Sequence, residues 1–283
     1  MLPVRLDVRN VARIIECARK IQAEPEVLVD ASRVAFAQPF GVVTIAGALL
    51  RRENRGLDRP AFIAPKNQEA DAFLREVGFS HLVDEGLAGR LGTLPIKRIW
   101  VTSLDPSYPH GVAALIEREV PNTSESVAYL VESALKEMLQ NVVEHAGSTT
   151  DAVVLTRWYR KDENVRIAIA DSGMGFAASL ARNPANTGTA DDRALVRRAV
   201  TVEGTTGRSA QRFGGLGLKH LLRTCTARGG SVHVTSHTVD ARFGPSNHQE
   251  VFVPRLDGTT VEIDFRPGPD DGSRSEIRPE EFF

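Results

Sequence analysis

The sequence predicts an α/β protein, and two observations carry that reading. Across residues 1–92, short strand-like runs alternate with longer segments of helical period. Across residues 98–267, a long amphipathic segment is followed by two strand-like runs, a polar stretch, a glycine-led helix and further strands. Strands and helices in such alternation build a sheet with helices packed on it.

In chain order, "VRLDV" (4–8) reads as a strand. Residues 10–22 fit an amphipathic helix, with Val11, Ile14, Ile15, Ala18 and Ile21 on one face. "EVLVDAS" (26–32) is a second strand, and "PFGVVTIAGALLRR" (39–52) an apolar helix opened by Pro39, a favourable first-turn residue. "RPAFIAP" (59–65) is a third strand, and residues 67–79 a third helix that ends near Gly78. The Gly- and Pro-punctuated stretch 87–98 marks a boundary between a first domain, 1–92, and a second, 98–267.

The second domain opens with the helix "TSESVAYLVESALKEMLQNVVEHAG", capped by Thr123 or Ser124. "DAVVLTRWYR" and "ENVRIAIAD" follow as strands, then a polar stretch over 181–213. "GGLGLKHLLRTCTARGG" reads as a helix, and "SVHVTSHTV" and "GTTVEIDFRP" close the domain as strands. The charged, Pro/Gly-rich tail 268–283 has the composition of a disordered segment.

Composition narrows the function. The 283 residues are 42% hydrophobic with a net charge of -1, so no global basic field points to nucleic acid or anionic lipid. The apolar run at 40–50 is too short to span a bilayer, and Cys17 and Cys225 have no metal-ligand spacing. A cytoplasmic protein without a membrane segment is expected.

Three stretches carry chemistry. In the helix over 123–147, Glu137, Asn141 and Glu144 share a polar stripe beside the apolar one. Taken alone, that stripe fits a solvated face. "IAIADSGMGF" (167–176) is a strand that is apolar on both faces and ends in Asp171, with Gly173 and Gly175 following. An acid at a buried strand end needs a partner, and an adenine amino group would serve. An ordinary Asp-Gly turn is the plainer alternative. "RFGGLGLKHLL" (212–222) runs glycines into a helix N-terminus, which suits phosphate. It has neither the Lys-Ser/Thr of a Walker loop nor the third glycine of a dinucleotide fingerprint.

Together these pieces resemble the GHKL ATPase superfamily, whose members share the Bergerat ATP-binding fold. "EMLQNVVEHA" is similar to its asparagine box, "DSGMG" to its Asp-x-Gly-x-Gly box, "GGLGL" to its later glycine box and "DGTTVEIDF" to its closing strand, in order over 98–266. The resemblance implies ATP and Mg²⁺ as ligands. It places Asn141 on the metal, Asp171 on the adenine amino group with Thr259 supporting it, and Gly173 and Gly175 along the base. Gly215 and Gly217 would close on the phosphates. The Arg-rich stretch between Gly175 and Gly214 would be a mobile lid ordered by them. It makes Glu137, one turn before Asn141, the general base of hydrolysing members and serine kinases.

The first domain resembles a STAS domain, the fold of anti-sigma-factor antagonists. The segments "EVLVDASRVAFAQPFGVVTIAGALLRR" and "AFIAPKNQEADAFLREVGF" carry that likeness. Gln38, Pro39, Phe40 and Gly41 stand where phosphorylatable members have Asp-Ser-Ser-Gly, so the resemblance implies a docking or regulatory module rather than a substrate.

A sensor histidine kinase would need a helical hairpin with a phosphoacceptor His before the ATP domain. Residues 98–122 hold only His110, and Pro109 beside it argues against a long helix there. The resemblance then leaves three roles. One is a serine/threonine kinase of the partner-switching type with a regulatory protein partner. Another is a slow conformational ATPase of the clamp or defence type. The last is a non-catalytic nucleotide-sensing module. It leaves a homodimer open.

Overall fold

The computed structural model describes residues 1–79, 96–99, 105–120, 125–143, 151–175, 178–179, 192–201, 217–245 and 248–267. Its α/β architecture is built on a five-stranded antiparallel sheet. The sheet strands are β5 (Ile96–Ile99), β6 (Ala152–Tyr159), β7 (Asn164–Asp171), β8 (Ser231–Phe243) and β9 (His248–Phe265), in the order β5-β6-β7-β9-β8.

One face of this sheet is covered by α4 (Tyr108–Glu119), α5 (Glu125–Asn141) and α7 (Gly217–Ala227), with α6 (Asp192–Thr201) alongside. Strand alternation explains the layer, since Val154 of β6, Ile167 and Ile169 of β7, Val232 and Val234 of β8, and Val261 and Ile263 of β9 all face these helices. From α5, Val127, Val131, Ala134, Leu135 and Met138, with Val142 just past its end, complete the core at helical spacing.

Two of these helices correct the sequence reading. Pro109 does not prevent a helix, because it lies in the first turn of α4, where its missing N–H breaks no intrahelical bond. Tyr108, Val112, Ala113 and Ile116 of α4 are buried in the same core, so the helix belongs to this layer rather than to a separate hairpin. The stretch over 181–213 is not all loop, since α6 lies within it. The two final strands are also longer than expected. They extend as a hairpin beyond the sheet, with register shifts around His237.

The N-terminal half supplies α1 (Val11–Ala23), α2 (Pro39–Asn54), α3 (Gln68–Glu76) and two parallel strand pairs. In these pairs, β1 (Arg5–Leu6) lies beside β3 (Phe36–Ala37), and β2 (Leu28–Asp30) beside β4 (Ala61–Ile63). These elements cover the second face of the sheet. Val153, Leu155, Ala168, Ala170 and Leu256 join the core formed by Ile14, Ile15, Phe40, Val43, Ala46 and Leu50. Within α2, Gly47 allows close packing, since a Cβ there would lie 3.1 Å from that of Ala170.

Polar bonds fix the same seam. The amide of Phe40, in the first turn of α2, donates to the buried Glu262 carboxylate at 2.8 Å, an N-terminal cap supplied by the sheet face that α2 covers. Burial pushes the Glu262 carboxyl above its ordinary range, against Arg166, His233 and that amide. Thr44 lies 3.3 Å from the hydroxyl of Thr260, and Arg242 of β8 donates to the carbonyl of Val8. Among the described residues, no helix is long and apolar enough to cross a membrane.

Candidate functional site

The candidate site lies where β7 ends. Asp171 follows Ile167 and Ile169 at alternate positions, which turns its side chain toward the α5 face. Its Oδ1 accepts the amide of Gly173 at 2.7 Å, an Asx turn. Thr259 of β9 pairs with it across the ladder, and the amide and hydroxyl of Thr259 also donate to the carboxylate. Burial pushes Asp171 up to about 6, although these donors and nearby Arg51 favour the charged form.

A measurable pH dependence follows. Because the folded value is raised, ionisation of Asp171 costs the fold stability. That stability is fully present below about pH 4 and is lost as pH rises to about 6. The interval corresponds to about 3 kcal/mol. Chemical denaturation of wild type and Asp171→Asn at pH 4 and pH 7 should show the variant gaining on wild type by about that amount as pH rises. A pH-independent difference would show that Asp171 titrates normally.

Two glycines near Asp171 have steric reasons within the fold. Gly175 has φ +79°, and a Cβ on it would lie 2.7 Å from His237 Cδ2 and 2.8 Å from Ser236 Oγ. Its missing side chain therefore makes room for β8. Gly258, with φ +104°, presses on the Asp171 carbonyl, from which a Cβ would be only 2.1 Å.

His237 was not singled out from the sequence. It takes a left-handed backbone, φ 53°, in the irregular part of the β8–β9 ladder. Its Nε2 lies 2.7 Å from the carbonyl oxygen of Met174, so that nitrogen carries the proton. The neighbouring Thr238 donates to Asp192 of α6 at 2.7 Å. Arg197 of the same helix pairs with Glu250 at 2.7 Å, and Arg193 stacks over Phe252. The β8–β9 extension thus links the loop after Asp171 to the helix inside the expected lid.

On α5, Glu137 and Asn141 are half-buried, between the core stripe and the Lys136–Glu132 pair. Asn141 ends the helix, which widens into a π turn at residues 142–143, a distortion frequent at functional sites. The chain then returns as β6, whose first residue, Ala152, pairs with Asp171. Glu137 and Asn141 therefore belong to the helix layer faced by Asp171, and the chain leaving Asn141 re-enters the sheet opposite it. Gly217 is the first residue of α7. Glu144 and Gly215 lie outside the described residues.

The structure therefore joins Asp171, Gly173 and Thr259 through a direct contact and one ladder pair, while Gly175 lies against Ser236 and His237 of β8. Residues 107–226 match the family model of the histidine kinase-like ATPase domain. The matched segment runs from the start of α4 into α7, and so contains Glu137, Asn141, Asp171, Gly173, Gly175, Gly215 and Gly217. It leaves out Thr259 and the whole N-terminal half. No curated protein matches the chain.

Proposed function

We propose that the chain binds ATP with Mg²⁺ at the end of β7 and acts as a cytoplasmic regulatory phosphotransferase of the partner-switching kind. The observation that carries the reading is the Asp171 carboxylate, held by Gly173 and Thr259 at a strand end facing the Glu137–Asn141 helix within the histidine kinase-like ATPase segment. A carboxylate so placed accepts the adenine amino group, leaving the phosphates to extend toward α5 and the N-terminus of α7.

The donor set fits Mg²⁺. The Asn141 amide offers a hard oxygen, and among the described residues no three His, Cys, Asp or Glu side chains gather into a metal cluster. A cation here would draw its other ligands from phosphates and water, as Mg²⁺ commonly does. When bound, Mg²⁺ neutralises charge on the transferring phosphoryl group. Glu137, one turn before Asn141, would take the proton from the attacking water or hydroxyl.

We assign the N-terminal half a regulatory docking role of the STAS-like type. Its support is the order of strands and helices, together with the position of the turn Gln38–Gly41. Pro39, Phe40 and Gly41 are buried and Phe40 is bonded to Glu262, so this turn faces the ATPase half. Such a turn is suited to transmitting a docking event and not to receiving a phosphoryl group.

Calorimetry with ATP and magnesium tests the binding, and single-turnover reactions with γ-labelled ATP test the role. Label on protein, with candidate partners added, supports the kinase; free phosphate supports the conformational ATPase. Binding without turnover assigns a nucleotide sensor. No binding at all would remove the reading.

A further inference from the structure

The C-terminal end of α2 reaches the base of this site. Arg51 donates through Nη1 to the carbonyl oxygen of Ser172 and lies 3.4 Å from that of Gly173. Its Nη2 is 3.6 Å from the carboxylate of Asp257, which Arg55 approaches at 3.8 Å. Ser172 and Gly173 follow Asp171 directly, whereas Asp257 precedes Gly258, the residue pressed against the Asp171 carbonyl. One guanidinium thus bridges the two chain segments between which Asp171 and Thr259 meet.

We propose that Arg51 is a positioning residue for the nucleotide site, tying the adenine end of the pocket to the N-terminal half of the chain. This rests on the reading of the site as an adenine-nucleotide site. Beyond Asp171 the chain leaves the β7 ladder, so the carbonyls of Ser172 and Gly173 need donors from elsewhere. The path they take decides where the Gly173 amide lies, and that amide orients the Asp171 carboxylate. A planar guanidinium can hold carbonyls on one side and a carboxylate on the other, which a lysine ammonium does less well.

Arg51 is itself placed by α2. That helix is seated on the sheet through Phe40–Glu262, Thr44–Thr260 and the close approach of Gly47 to Ala170. A shift of α2 therefore moves the base loop. By linkage, nucleotide at the base loop must in turn favour the seated position of α2.

The test uses the full chain. Binding of ATP and ADP is measured by calorimetry for wild type, Arg51→Met and Arg51→Lys, with hydrogen exchange followed over α2. Arg51→Met should bind both nucleotides about tenfold more weakly, the scale of one hydrogen bond to a charged group. The factor should be the same for ATP and ADP, because the defect lies at the base and not at the terminal phosphate. Arg51→Lys should recover part of the loss. Nucleotide should slow exchange at the end of α2 in wild type and not in Arg51→Met.

Should Arg51→Met fail to fold, Asp257→Ala frees one end of the bridge and should weaken both nucleotides in the same ratio. Unchanged affinity in a folded Asp257→Ala protein would then overturn the proposal. A folded Arg51→Met protein with lower thermal stability but unchanged affinity would make Arg51 merely structural and overturn it as well. A wild-type chain that binds neither nucleotide overturns the ATP reading and this inference together.

Discussion

Asp171→Asn should fold and should bind ATP about 100-fold more weakly than wild type, or not measurably. The argument turns on which atom faces the pocket. In wild type, Gly173 and Thr259 donate to the carboxylate, and its remaining lone pairs are available to an adenine amino group. An asparagine has one acceptor oxygen and an NH₂ group. If that oxygen keeps the local bonds, the NH₂ faces the adenine amino group, donor against donor. If the side chain turns over, the amide of Gly173 loses its acceptor. Either arrangement leaves a buried donor unpaired. Sites built around such a bond reject the mismatched partner strongly. Calorimetry on variant and wild type, with circular dichroism to verify folding, checks the result. Undiminished affinity in a folded variant would remove Asp171 from the site.

Much of this site is local in sequence, and the local part was legible. Asp171, Gly173 and Gly175 stand within five residues, and a buried strand running into an acid and two glycines announces itself. The helices of the N-terminal half were also legible, because each carries its own apolar period, whereas the two-residue strand β3 (Phe36–Ala37) was not anticipated. Residues 10–22, 39–52 and 67–79 anticipate α1, α2 and α3 to within three residues at each end.

Contacts between distant elements were not legible. Arg51 ends an apolar helix beside a second arginine, Arg52, and nothing local distinguishes them. Their fates are opposite. Arg52 is buried among the carbonyls of Ile21, Glu24, Pro25 and Asp58, whereas Arg51 reaches the loop after β7. Only the seating of α2 on the sheet decides this. That the two halves share a core was hidden for a related reason: β6 and β7 are apolar on both faces, which shows burial without naming the cover. The helix α6 was missed because its apolar stripe is short: Leu195 and Val196 enter the core, among arginines that bond to the β8–β9 hairpin. Bulges near His237 broke the period-two signal of that hairpin and shortened the expected strands.

Glu137→Gln should separate chemistry from binding. Glu137 stands on the stripe of α5 that also carries Asn141, half-buried beside the core residues Ala134 and Met138. A glutamine keeps the length of the side chain and one acceptor oxygen, but it cannot take a proton. On the proposed reading the adenine end is held by Asp171 and Thr259 and does not depend on this side chain, so ATP affinity should stay within about twofold of wild type. Phosphoryl transfer, whether to water or to a protein hydroxyl, should fall by about 10²-fold or more, the usual scale for loss of a general base. Single-turnover rates at saturating ATP, measured beside calorimetric affinities, give both quantities on the same proteins. A loss in affinity equal to the loss in rate would place Glu137 in ligand binding. Wild-type turnover in the variant would leave the carboxylate as a solvated member of the helix face, with the proton accepted elsewhere.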